Sequence, residues 1–374
     1  LQNNGGDDEP ITENGEFTFD TPLTLGTSYN VTVATNPTDP AQICSVANGS
    51  GEVSTTDVTN VAVTCAEPVL GNLVKVAAEG DTLPDTTVLR QIFLDGGVAI
   101  DMDGKVAFAG ESGDGIDTVF TQDGKVVAEN DTLPDDTTLS TFRPLGEVAI
   151  GAGELVSNVA FHGQAETGFN DTDSVLTQPG AVAQVGETLL TGTIGQIDDE
   201  GKVALNNFEQ VAFHGKVEIE GGLFDENIRA VFKADGQTTQ VVAKVGDTLD
   251  GATVEEINQI GGVAISDFDE VAFHGRVVDP DPVIGGDTLK AVFTTDGLVA
   301  QEASELPDGN KLDDINEDGG VAITLFGDVA FHGSVIIATA GGDSVRAVLT
   351  QEGVIAKEGD NLGGTILDEI EVSG

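Results

Sequence analysis

The chain has no tryptophan and a single tyrosine, Tyr29. Sugar sites that stack a ring on a large flat aromatic with a polar handle therefore have almost nothing to build on. Basic residues are scarce too: 15 Lys and Arg stand against 65 Asp and Glu, a formal charge of -50 at pH 7. A field of that sign repels phosphate backbones and anionic headgroups, which excludes nucleic acid and membrane surfaces as partners. It attracts cations, and salt or divalent ions relieve its self-repulsion. A saline or calcium-containing medium is expected. No apolar run reaches the ~18 residues of a membrane-crossing helix. No secretory leader opens the sequence, so the chain is expected to be mature or trimmed, and soluble. Enzyme signatures are missing as well: there is no G-x-S-x-G elbow, no P-loop, no H-E-x-x-H and no dinucleotide fingerprint. Paired carboxylates carry no weight, because 65 acids always place some pair at glycosidase spacing.

Only two cysteines occur, Cys44 and Cys65, flanked by strand-like runs. They suit one disulfide closing a loop of about 20 residues, worth roughly 3 kcal/mol by loop entropy. The other reading is two buried thiols. A disulfide places the protein outside the cytoplasm, extracellular or at the cell surface.

Residues 1–68 are rich in Thr, Asn, Val and Gly, with strands expected over 16–19, 28–34, 42–47 and 58–65. Short strands between turn residues indicate a small β-sandwich. The stretch LQNNGGDDEPITENGEFTFDTPLTLGTSYNVTV, with the later SVANGSGEV and VTNVAVTC, resembles an immunoglobulin-like module of bacterial surface and secreted proteins. The resemblance implies no ligand. Such modules open with a strand ahead of LQNNGGD, so the sandwich is expected to lack its first strand.

Residues 69–374 repeat. The VAF element falls at Val106, Val159, Val211, Val271 and Val329, at spacings of 53, 52, 60 and 58 residues. Each unit holds four short apolar segments, for example GGVAI (261–265), VAFHG (271–275), KAVFTTDG (290–297) and LVAQEASEL (298–306). Four strands per unit without a helix-length periodic segment is the signature of a propeller blade or a related β-repeat. VAIDMDGKVAF (98–108) reads as one hairpin, with DMDG as its turn. The segments INEDGGVAI, INQIGGVAI and IDDEGKVAL precede VAF, and KVGDTL or its variants close the unit. This pattern resembles the secreted bacterial tandem-repeat family built on N-x-x-G-x-x-A-F units, and that resemblance implies a propeller-like all-β body with no assigned biochemical role. The fold expected is all-β: a small immunoglobulin-like sandwich, then a propeller-like array of four-stranded repeats, five full units with partial units at the ends.

The closing element occurs six times, at Gly80, Asn130, Gly186, Gly246, Ser304 and Gly359, against five copies of VAF. Both ends are expected to be unfinished: either the chain is a segment of something longer or a neighbouring molecule completes it. Unpaired edges are templates for strand addition. The tail strand Ile370, Glu371, Val372 and Ser373 alternates apolar and polar residues, and is expected to fill the sandwich edge of the next molecule. A heterologous contact of that kind makes filaments unless it closes into a ring.

The string VAFHG holds every histidine of the chain: His162, His214, His274 and His332. Strand alternation puts Val and Phe on one face, Ala and His on the other. Phe108, Phe161, Phe213, Phe273 and Phe331 thus supply one aromatic per unit to a core layer. The histidine precedes a Gly that permits a turn or a close backbone approach, and its first counterpart is Ala109. A zinc ring would have to tolerate that gap, and no two histidines lie at a short ligand spacing. The expected role is structural, with each imidazole bonding a carboxylate or the backbone, and a structural histidine beside acids can act as a pH switch.

Calcium is the candidate metal. Asp101 with Asp103, and Asp267 with Asp269, sit two apart in the hairpin loops, a spacing that turns alternate oxygens toward one ion. The matching loops NNFE (206–209) and TLFG (324–327) lack the pattern, and the competing reading is solvated turn acids. The function expected is an extracellular structural or adhesive protein, not an enzyme, with copies of itself as partner. Rival readings are a propeller polysaccharide hydrolase or lyase, and a calcium-dependent module for a small or glycan ligand.

Overall fold

A computed structural model of the chain is all-β, with 56% of residues in strands gathered into several small antiparallel sheets. It describes all residues except 5, 12–13, 35–36, 38–42, 55–56, 67–74, 144–146, 152–157, 168–169, 199–200, 220–225, 259–260, 279–287, 325–326, 338–343, 363–364 and 371–374. Among the described residues the one helical element is a short 3-10 turn, Leu94–Gly96. Two compact units are present: Leu1–Leu73 with Glu358–Glu369, and Val74–Lys357 with Ile370–Gly374.

In the first unit one sheet has the order Gly6–Asp8, Gln2–Asn3, Ser28–Thr32, Ser50–Glu52. A second pairs Ile43–Ala47 with Ala62–Ala66 and sets Cys44 opposite Cys65, where the disulfide closes. The cysteines are therefore bonded, at a sequence separation of 21. The strand expected over 16–19 does not form. Those residues are irregular, and the rings of Phe17 and Phe19 meet edge to face at 6.0 Å. The alternation that would have put both rings on one strand face is instead satisfied by the two rings themselves.

The second unit holds five successive sheets of one strand order. In the fourth sheet the order is Glu256–Ile257, Val271–Val278, Thr288–Thr294, Gly297–Gln301, and Val263–Ile265 pairs with the same edge of Val271–Val278 as Glu256–Ile257 does. The central strands of the other sheets are Val106–Ser112, Asn158–Thr167, Val211–Ile219 and Val329–Ile336. Among the described residues five strands per sheet, and six in the third, where Thr188–Leu189 adds an edge, replace the four expected from sequence. The additional one is Leu89–Ile92, Thr138–Phe142, Gly192–Ile197, Glu256–Ile257 and Lys311–Ile315 in successive sheets, and only the two residues of the fourth sheet are too few to carry a periodicity.

The core lies between sheets. Ala272, Val292 and Ala300 on one face of the fourth sheet pack against Val321, Val329, Phe331 and Leu349 of the fifth. The same small-on-large contact joins Ala107 and Val119 to Val148, Ile150 and Phe161, Ala160 and Val175 to Phe213 and Phe232, and Ala212 and Val231 to Val263, Ile265 and Phe273. Phe108, Phe161, Phe213, Phe273 and Phe331 are all buried, each contributing roughly 1.5–3 kcal/mol. Alternation along the central strand thus makes two unlike faces, and each inter-sheet layer joins a small face to a large one.

Candidate functional site: a row of buried histidines

Each VAFHG histidine occupies the place on the central strand where its edge partner changes. Gly275 and Arg276 pair with Ile257 and Glu256, whereas Phe273, Ala272 and Val271 pair with Val263, Ala264 and Ile265. The intervening loop leaves the sheet opposite His274, whose carbonyl accepts the Asn258 N–H at 3.1 Å. Arg143, Asp198 and Asn316 make the same bond to the carbonyls of His162, His214 and His332, and Phe93 makes it to Ala109. The following glycine answers a close approach rather than a turn. A Cβ on Gly215 would lie 2.2 Å from the Gln196 carbonyl oxygen, and one on Gly275 2.5 Å from that of Glu256.

The imidazoles of His162, His214 and His274 are buried, and that of His332 is half-buried. Among the described residues neither ring nitrogen of His214 or of His274 has a hydrogen-bond partner. The expected bond from imidazole to carboxylate or backbone is absent at these two residues. The Ala and His face of the fourth sheet is the one covered by the next sheet, so the His274 ring is shut in while its backbone carbonyl makes the polar contact. Burial first, then the charges of His274, His162 and Arg229, lower the His214 pKa to about 3. Burial, then His332 and Lys202, lower that of His274 to about 4. Both are neutral at pH 7.

Neutral, unbonded imidazoles are chemically capable metal donors. The side-chain charges that act on them are cationic: Lys202, paired with Glu147 at 3.1 Å, on His274, and Arg229, paired with Asp198 at 3.0 Å, on His214. Among the described residues no group of three or more His, Cys, Asp or Glu is placed to hold a metal ion.

Of the four hairpin acids expected to bind calcium, Asp101, Asp267 and Asp269 accept protein donors. Asp101 Oδ1 accepts the N–H of Asp103 and of Lys105, at 3.0 and 2.8 Å. Asp267 accepts Asn207 N and Nδ2 from the hairpin of the preceding sheet, at 2.9 and 2.8 Å. Asp269 accepts Gln210 Nε2 at 2.8 Å and pairs with Lys233 Nζ at 2.5 Å. Asp103 is exposed at its turn. In the second hairpin the two acids turn to different donors rather than to a common centre.

A family model, that of the family of unknown function DUF7453, matches residues 45–362. The chain belongs to DUF7453. The match covers all five sheets and takes in Cys65. Among curated proteins, none matches the chain.

One set of carboxylates in this DUF7453 chain escaped the sequence reading. Asp85, Asp135 and Asp308, in the loops that lead into the first, second and fifth sheets, reach the opposite edge of their own sheet. They accept the N–H of Lys125, Ala181 and Val354 at 2.8, 2.9 and 2.9 Å. Each also accepts an N–H of its own turn, from Thr87, Thr137 or Asn310. Burial raises the three pKa values, and these hydrogen bonds together outweigh it and lower them. Gly180, at φ 156°, lies against Asp135: a Cβ there would sit 2.0 Å from its Oδ2. The partners lie 40 or 46 residues apart, so no local pattern announces them.

Of the tail strand, Ile370 is buried and its carbonyl accepts Arg346 Nη1 at 3.3 Å. Glu371, Val372 and Ser373 lie outside the described residues.

Proposed function

We propose that the chain is an extracellular structural or adhesive protein whose copies join head to tail, built as a small immunoglobulin-like module followed by a propeller-like array. The observation that carries this reading is the use made of its reactive side chains. Histidines that could serve as bases or ligands lie inside the layers between sheets, and recurrent aspartates hold backbone N–H groups. The disulfide supports an oxidising compartment. Strand donation by the tail starts after Ile370, since that residue is held within its own unit. A recipient edge is offered by the two-stranded sheet of Cys44 and Cys65, which a third strand would extend.

Negative-stain microscopy of the full chain tests this reading. Filaments in the wild type and single particles after deletion of residues 371–374 are expected. Single particles in the wild type at every concentration and salt would contradict it, and filaments of unchanged length after the deletion would contradict the donated strand.

A further inference from the structure

The hairpin that leads into the central strand has one form in the first, third, fourth and fifth sheets: Asp101, Asn206, Ser266 and Thr324 each donate their N–H to the carbonyl four residues on, at 2.8–3.1 Å. Turns of this kind are built from small polar residues and give a ring nothing to pack on. Yet Phe208 and Phe268 hold the same place in two of them and are 64% and 70% exposed, and Met102, at the tip of the first, is 78% exposed. The sequence sets Phe326 at that place in the fifth sheet, outside the described residues. The tips are tied to one another. Asn207 binds Asp267 through N and Nδ2, its Nδ2 also meets Met102 Sδ at 3.5 Å, and Asn206 Nδ2 donates to the Ser266 carbonyl at 3.0 Å. Three apolar tips from three sheets are thus set side by side on a frame that needs no ordering when a partner arrives. Each is followed in the chain by an acid: Asp103, Glu209 and Asp269.

We infer that the tips carrying Met102, Phe208 and Phe268 form a docking surface for a cationic protein segment in which Arg or Lys stands next to apolar residues. Charge selects this occupant. The basic side chains at the hairpins are already taken, Lys233 by Asp269 and Lys105 by Asp123. Asp267 accepts a neutral amide, and among the described residues no Lys or Arg pairs with Asp103 or Glu209. A partner's apolar side chains cover the exposed rings, and its guanidinium groups stack on those rings and meet the acids beside them. A second copy of the chain, at -50, brings charge of the wrong sign, and so does an anionic membrane. The inference goes beyond the joining of copies and holds whether or not they join.

The test measures binding of the full chain to the labelled peptides LRLRLR, GRGRGR and LELELE by fluorescence anisotropy at low salt. The wild type is expected to bind LRLRLR, to bind GRGRGR about tenfold more weakly, and not to bind LELELE. Joint replacement Phe208→Ser and Phe268→Ser, which leaves the charge unchanged, is expected to weaken LRLRLR by about tenfold. Glu209→Gln is expected to weaken it and to reduce its salt dependence, whereas Glu226→Gln, at the other end of the third sheet, leaves both as they are. All four positions are exposed, so folding is retained, and unchanged melting temperatures confirm it. Undiminished binding by the double phenylalanine variant, or a loss with Glu226→Gln equal to that with Glu209→Gln, would trace the attraction to the overall field and overturn the surface. Failure of the wild type to bind LRLRLR overturns it as well. Binding of the wild type to phosphatidylcholine vesicles in place of the peptide, lost with the two phenylalanines, would make the tips a lipid contact and overturn the protein partner.

Discussion

The Asp135 carboxylate accepts the backbone N–H of Ala181 at 2.9 Å, 46 residues further along the chain. The second sheet is thereby tied from the loop before its first strand to the start of its last. Asp135→Ala removes that bond and the one from Thr137 N. A loss of about 1–2 kcal/mol is expected, since the carboxylate is charged but largely exposed. Urea melts of Asp135→Ala and Asp135→Asn, which retains one acceptor oxygen, measure it, with the asparagine variant intermediate. Because the folded pKa is lowered, the bond's contribution is present above pH 3.8 and is lost as pH falls through the folded value.

Gly215 lies too close to the Gln196 carbonyl for any side chain: its Cβ would stand 2.2 Å from that oxygen. Gly215→Ala is expected to cost about 3 kcal/mol, as an overpacked site without room to relax. Gly320→Ala, with nothing within 4 Å of the added carbon, is expected to be near neutral. Thermal melts of the two variants give the comparison.

His214 and His274 stay neutral when folded, with pKa values lowered from 6.5 to about 3 and about 4. The unfolded chain takes up protons below pH 6.5 and the folded chain does not. Stability is therefore intact above that pH and falls as pH drops toward 4, by about 1.4 kcal/mol per unit for each histidine. At about pH 5 the two together cost roughly 4 kcal/mol. Replacing both by leucine is expected to flatten the dependence, as the apolar Ala109 already fills the position in the first sheet. Urea midpoints between pH 8 and pH 5 for wild type and double variant check this.

Much of the architecture is legible in the sequence because it follows a period of two. Val and Phe against Ala and His in VAFHG announce the two faces, and DMDG announces the hairpin that pairs Val98 with Phe108. What escapes is set at a distance. The strand Glu256–Ile257 is too short to carry a pattern. The tie from Asp85 to Lys125 joins residues 40 apart. The unbonded rings of His214 and His274 depend on which face the next sheet covers, and no histidine's neighbours in sequence reveal that. Phe17 and Phe19 show the reverse: a strand-like alternation is present, but no ladder forms.

In this reading the histidines are framework rather than site. With only four in the chain, their imidazole signals can be assigned by single substitution and followed by NMR from pH 8 to pH 5. The signals of His214 and His274 are predicted to stay at neutral positions throughout and to be unmoved by added Zn²⁺. Titration of either near pH 6.5, or loss of their signals on adding the metal, would show rings open to solvent and ligand, and would contradict the account.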